Sequence, residues 1–226
     1  METTRIADNQ TDFRTINKRE PEWLYNTRKN GWSFYDSRPL PDRVVHLWRY
    51  TDPREFRIAE PRELIATRPP QAGGTQDDAT QLKSDSSGYA YNRSDLTSSI
   101  TLDPKLAEQG VVLTDLFAGI GSNESLVSQY LGHLVGNEFG KFEALNLALW
   151  NTGLFLYVPD NVQVEMPVRL RRHPAGPVTF HRLLAVIGNN AKVTVVDDYL
   201  GGRSSDSPLV NSVVEMYAGD ASQVTY

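Results

Sequence analysis

The residues best equipped for chemistry fall in the last third of the chain. His173 and His181 stand eight positions apart and flank Pro174-Ala175-Gly176-Pro177. Together with Arg169, Arg171 and Arg172 they offer the cations and imidazoles that an anion or a metal site uses. No carboxylate lies between the two histidines at ligand spacing, so a solvated loop face is the expectation for this cluster. Asp197-Asp198 is an acidic pair of the kind that β-helix carbohydrate lyases gather in a groove. On a strand the two side chains point to opposite faces, so only one could reach a given groove, and a turn or sheet edge accounts for them equally well. His46, among tryptophans and tyrosines, is expected to pack half-buried, and His133 to lie at the surface.

Other constellations fail on inspection. Val111-Val112-Leu113 followed by Gly119-Ile120-Gly121-Ser122 has the start of a glycine-rich phosphate loop, but the third glycine position holds Glu124, whose carboxylate would repel a pyrophosphate. A turn leading into a helix is the expectation there. The nucleophile elbow GxSxG, the zinc motif HExxH, SxxK and a P-loop are absent, as are the hexapeptide repeats of left-handed acyltransferase helices. The sequence contains no cysteine and four histidines. That excludes disulfides, thiolate zinc sites, cysteine nucleophiles and cysteine-ligated clusters within these residues. No catalytic, cofactor-binding or metal-binding residue is assigned.

Composition narrows the class further. Of 226 residues, 39% are hydrophobic and 23% charged, which fits a chain that buries a core. The net charge of −5 disfavours general nucleic-acid binding, which needs a surplus of Lys and Arg. The first residues are polar and lack the apolar stretch of a signal peptide. No apolar run approaches the roughly 20 residues of a membrane helix. The expectation is a cytoplasmic protein with neither nucleic acid nor membrane as partner.

Four segments follow from patterning. Residues 1–65 form an aromatic, helical docking segment, with a loose tail over 1–20, a helix over Glu22–Tyr35 weakened by Gly31, and Thr51 as the cap of a short helix. Residues 66–99, rich in Pro, Gly, Ser and Asp, read as a flexible loop or linker. Residues 100–153 form a helical lead-in to the core. Asp103-Pro104 starts one helix, Ser122 caps a second running to Val135, and Phe139–Trp150 is a third. Residues 154–226 change to a two-residue period, clearest where Val162, Val164, Met166, Val168 and Leu170 alternate with polar residues.

Within that last segment a motif recurs. Phe155–Val164, Leu184–Val193 and Glu215–Val224 each comprise an apolar strand, a Pro or Gly, one or two Asp/Asn, a small residue and a second strand. The Pro/Gly positions are 159, 188 and 219, giving spacings of 29 and 31. A period near 30 among strands suggests stacked coils, each burying its inner face against the next. A parallel β-helix is favoured over an antiparallel sandwich. Because the strand pattern runs up to Tyr226, the β-helix is expected to be incomplete at the C-terminus, truncated or closed by another chain.

Several strings, taken jointly, resemble a known family. EPEWLYNTR followed by RPLPDRVVHLWRYTDPREF, then LDPKLAEQGVVLTDL, KFEALNLALWNTGLFLYVPDNVQVEMPVRL and HRLLAVIGNNAKVTVVDD are similar to the SufB/SufD proteins of iron–sulfur cluster assembly. The resemblance covers most of residues 20–226. It implies a mainly β fold, an N-terminal helical segment followed by a right-handed parallel β-helix. It also implies a non-enzymatic scaffold working with SufB-like and SufC-like subunits, the latter an ATPase. No cofactor is expected in this chain, the iron–sulfur cluster being assembled transiently by the complex. SufB-like members carry a cysteine after the strand matching Val193–Asp198 and an Arg-x-Asn where Arg171-Arg172-His173 stands here. Their absence, with the WRYT string, favours a SufD-like chain represented by its N-terminal part.

Overall fold

A computed structural model describes residues 20–42, 48–56, 85–93, 98–174, 178–200 and 209–226. The polar tail over 1–19, His46 and most of the 66–99 loop lie outside the described residues.

Helix α1, Glu22–Ser37, begins behind Pro21 and is two residues longer than the sequence pattern indicates. Gly31 does not break it. A Cβ there would stand 2.9 Å from the Ala144 carbonyl oxygen and 3.0 Å from the Ala148 amide nitrogen. The glycine therefore lets α1 lie directly against a second helix, Lys141–Leu149, at a cost of about 1 kcal/mol in helix propensity. A single 3₁₀ turn, Pro53–Glu55, is capped by Asp52 and not by Thr51.

Strands β1 (Gly88–Arg93) and β2 (Ser99–Leu102) pair antiparallel. Helix α2, Pro104–Glu108, starts at Asp103, whose carboxylate accepts from the Lys105 amide, as the Asp-Pro signal indicates. After β3 (Val112–Asp115) come α3 (Leu116–Ser122) and α4 (Glu124–Tyr130). The expected helix from Ser122 to Val135 is thus shorter, with Asn123 at its start. The helix against α1, here α5, runs Lys141–Leu149 and ends at Trp150. It is followed by β4 (Thr152–Val158), β5 (Val168–His173), β6 (Val178–Ile187), β7 (Lys192–Tyr199), β8 (Leu209–Ala218) and β9 (Gln223–Thr225).

The strands form two mixed sheets, one of five in the order β2-β1-β5-β7-β9 and one of four in the order β3-β4-β6-β8. This corrects the expectation of a mainly β chain wound into a right-handed parallel β-helix: the fold is mixed α/β. In each sheet an antiparallel pair, β1–β2 or β3–β4, precedes the parallel strands. Helices cover the outer face of the four-stranded sheet. The physical reason lies in β6, all ten of whose residues are buried. A strand buried on both faces needs a layer on each side. Phe180, Leu184 and Val186 face the helices, packing with Leu116, Leu145 and Trp150. Leu183, Ala185 and Ile187 face the other sheet, packing with Ala90, Leu170 and Val195. The layers are therefore helices, four-stranded sheet and five-stranded sheet.

The alternation over residues 162–170 is one of burial more than of pairing. Val162, Val164, Val168 and Leu170 are buried, Met166 is 39% exposed, and β5 itself starts only at Val168, after Pro167, which has no N–H to give a ladder. The 30-residue motif does correspond to parallel pairing. Leu156 lies beside Ala185 and Leu184 beside Glu215. Its turns stack, with the Gly188 amide donating to the Val158 carbonyl and the Gly219 amide to that of Ile187, both at 2.8 Å. Asn161, Asn190 and Ala221 occupy the left-handed region at φ 65°, 53° and 56°.

Candidate functional site

Strand alternation divides the arginine–histidine cluster in two. On β5, Arg172 points inward with Val168 and Leu170, whereas Arg169, Arg171 and His173 point outward. On β6, His181 shares the inward side with Leu183, and Arg182 faces the helices. His173 and His181 are thus not one loop face. His173 ends β5 half-buried, its Nδ1 3.1 Å from the Tyr91 hydroxyl. His181 is wholly buried and neither ring nitrogen has a hydrogen-bond partner. The solvated-face expectation fails for His181 because β6 extends five residues earlier than the apolar run Leu183–Ile187 that marks it.

The inward groups form a polar layer between the sheets. Parallel register places Thr152, His181 and Ser212 in one row and Asn92, Arg172 and Tyr199 in the row facing it. Thr152 donates to Asn92 Oδ1 at 2.8 Å, and Asn92 donates to Ser98 at 2.7 Å. Arg172 pairs with Asp197 and donates to the Tyr199 hydroxyl at 3.0 Å. Tyr226 donates to Asp197 at 2.7 Å. Burial, with the Arg172 cation as the second cause, lowers the His181 pKa to about 3, so its ring is neutral. Asp197 and Asp198 separate as the strand period requires, one inward against Arg172 and one outward.

A second polar tie crosses the helical side. Arg182 and Glu215 are both inaccessible to solvent. Glu215 accepts from Arg182 Nε at 3.0 Å and Nη2 at 2.8 Å, and from the amides of Gly132, Leu134 and Val135 at 2.9–3.1 Å. Arg182 also donates to Asn146 Oδ1 at 3.0 Å and to the Val135 carbonyl at 2.6 Å. A third tie is Arg28, which pairs with Glu20, donates to the Ala148 carbonyl at 3.0 Å and lies 4.4 Å from the Trp150 ring centroid. Sequence reasoning missed all three arginines as structural groups. For Arg182 the signal was an arginine beside the apolar run Leu183–Ile187; Arg28, among Asn26, Thr27, Lys29 and Asn30, carried none.

These arrangements hold layers together and present no reactive geometry. The Gly119–Ser122 stretch is inside α3 and not a phosphate loop. His133 follows α4 and is exposed, the surface position expected for it. Among the described residues no three His, Asp or Glu converge as metal ligands, and no helix is long and apolar enough to cross a membrane.

Comparison with known proteins gives this geometry a context. Residues 86–170, from the start of β1 into β5, match the family model described as the SufBD protein N-terminal region. The chain is 26% identical to the iron–sulfur cluster assembly protein SufD of Bacillus subtilis, over 99% of this chain and 52% of that one. It is 26% identical to an iron–sulfur cluster assembly SufBD family protein of Staphylococcus saprophyticus, over 92% of this chain and 47% of that one. A Staphylococcus aureus protein of the same description is 25% identical over the same shares. The chain spans about half the length of these curated relatives.

Proposed function

From the premise that this chain belongs to the SufB/SufD family of iron–sulfur cluster assembly proteins and is SufD-like, we propose that it is a scaffold subunit without catalytic activity of its own. It pairs with SufB-like and SufC-like subunits in the cytoplasm. The similarity to a SufD protein along 99% of the chain carries this reading. The layered body fits the role. Its buried cations and carboxylates are spent on joining helices to sheet and sheet to sheet, which gives a rigid platform. With no cysteine in these residues, thiolates that hold a growing cluster come from elsewhere in the assembly. The cluster is the cargo of the complex and no resident cofactor of this chain.

A carbohydrate-active enzyme, the competing reading, needs convergent carboxylates in a groove. Asp197 and Asp198 face opposite sides of β7, and Asp197 is committed to Arg172. The decisive experiment is co-expression with SufB and SufC homologues, followed by affinity purification under reducing conditions. Stoichiometric recovery of both partners is expected, and absence of any association would refute the scaffold role.

A further inference from the structure

A cleft of about 430 Å³ opens where α1 ends and α5 begins, apart from the buried ties described above. None of the residues lining it is buried, so it is accessible to solvent. Its apolar lining comes from Pro39, Leu40 and Pro41 and from the rings of Trp48 and Phe139. Leu40 is 42% exposed and Phe139 63% exposed, an unusual cost for two large apolar groups side by side. The Trp48 ring is held in place by Phe142 at 5.0 Å and Phe56 at 5.7 Å between centroids. Its indole N–H donates to no described residue.

The charges of the cleft are unequally committed. Lys141 donates to the carbonyls of Tyr35 and Arg38 at the end of α1, and Arg38 donates to the Glu138 carbonyl and lies over the Phe34 ring. Both cations are thus engaged by the fold. Of the two carboxylates that line the cleft, Asp42 and Glu143, Glu143 is half-buried and pairs with no described cation. An aromatic surface with one free donor and one free carboxylate suits a particular occupant. A helix spends its carbonyls internally, whereas a polyproline II segment has every carbonyl available and little conformational freedom to lose. We propose that this cleft docks a proline-rich segment of a partner protein in the polyproline II conformation. Its pyrrolidine rings pack on Trp48 and Phe139, one of its carbonyls accepts from the Trp48 N–H, and a lysine or arginine beside the prolines pairs with Glu143. The net charge of −5 favours the approach of such a basic segment. This inference does not depend on the cluster-assembly role.

The test uses the full chain and a fluorescent synthetic peptide of proline and leucine with an arginine at one end, read by anisotropy. The same peptide with glutamate for the arginine, and with alanine for every proline, serve as comparisons. The parent peptide is expected to bind best. Phe139→Ala should weaken it by about tenfold or more. Glu143→Gln should weaken it by about threefold and abolish the preference for arginine over glutamate. Phe139 is largely exposed and lies outside both core clusters, so its truncation leaves the fold in place and keeps the test decisive. No binding, equal binding of the three peptides, or an affinity that Phe139→Ala leaves unchanged would overturn the proposal.

Discussion

Replacing Glu215 by Ala probes the strongest tie between layers. In the folded chain the carboxylate is inaccessible to solvent and accepts two hydrogen bonds from Arg182 and three from the backbone amides of Gly132, Leu134 and Val135. Removing it strands a buried guanidinium and three amides. Breaking a buried ion pair from one side costs about 3–5 kcal/mol, and each stranded amide adds to that. A domain of ordinary stability has about 5–15 kcal/mol in total. For a chain of this length the loss corresponds to a fall in Tm on the order of 10 °C. Urea denaturation followed by tryptophan fluorescence measures it, because Trp150 lies at the centre of the helix–sheet core. Arg182→Leu should cost a comparable amount. The double variant Arg182→Leu/Glu215→Ala should lose less than the two single losses added together, since it leaves no unpaired charge. A loss below about 1 kcal/mol for Glu215→Ala, or strict additivity in the double variant, would refute the claim that this pair joins helices to sheet.

Three further outcomes are expected. Because the folded His181 pKa is depressed to about 3 from 6.5, the folded state binds fewer protons than the unfolded state between those values. Its contribution is complete above the unfolded pKa and is lost as pH falls, by about 2 kcal/mol at pH 5. Denaturation midpoints measured against pH should show His181→Leu lacking this slope and, with two unpartnered nitrogens gone, equalling or exceeding the parent in stability near neutrality. Gly31→Ala should destabilise by about 1–3 kcal/mol despite its better helix propensity, because its Cβ meets the α5 backbone, and thermal unfolding by circular dichroism reads it. Ala221→Asn should stabilise by about 0.5–1 kcal/mol, since φ is 56° there and the equivalent turns carry Asn161 and Asn190; unchanged urea midpoints would argue against the stacked-turn account.

The elements themselves were legible where a local cause writes them. Asp103-Pro104 starts α2 because a side-chain cap and a fixed φ act within one turn. The recurring Pro/Gly-Asp/Asn motif marked the stacked turns of β4, β6 and β8 because backbone conformation at a corner depends on the residues in it. The failure was architectural. A 30-residue period shows that equivalent segments lie side by side, but the antiparallel pairing of β1–β2 and β3–β4 is set by which backbones find each other across long separations. That information is in no window of the sequence. The solvated-face reading of His181 failed for the same reason. Whether His181 is a loop residue or a core residue turns on where β6 begins, and that is fixed by its pairing with Thr152 and Ser212.

Taken alone, the sequence determined that no thiolate lies within these residues, that the last third is strand, that Asp197 and Asp198 part company, and that the chain resembles one family. These are consequences of residue type and of the two-residue period, both local. Only the tertiary structure decided that two mixed sheets and a helical layer replace a coil of parallel strands. It alone divided Arg169, Arg171 and Arg172 between surface and interior and paired Arg182 with Glu215, 33 positions away. Such choices depend on desolvation and on charges meeting across layers, and those terms exist only once distant segments have come together.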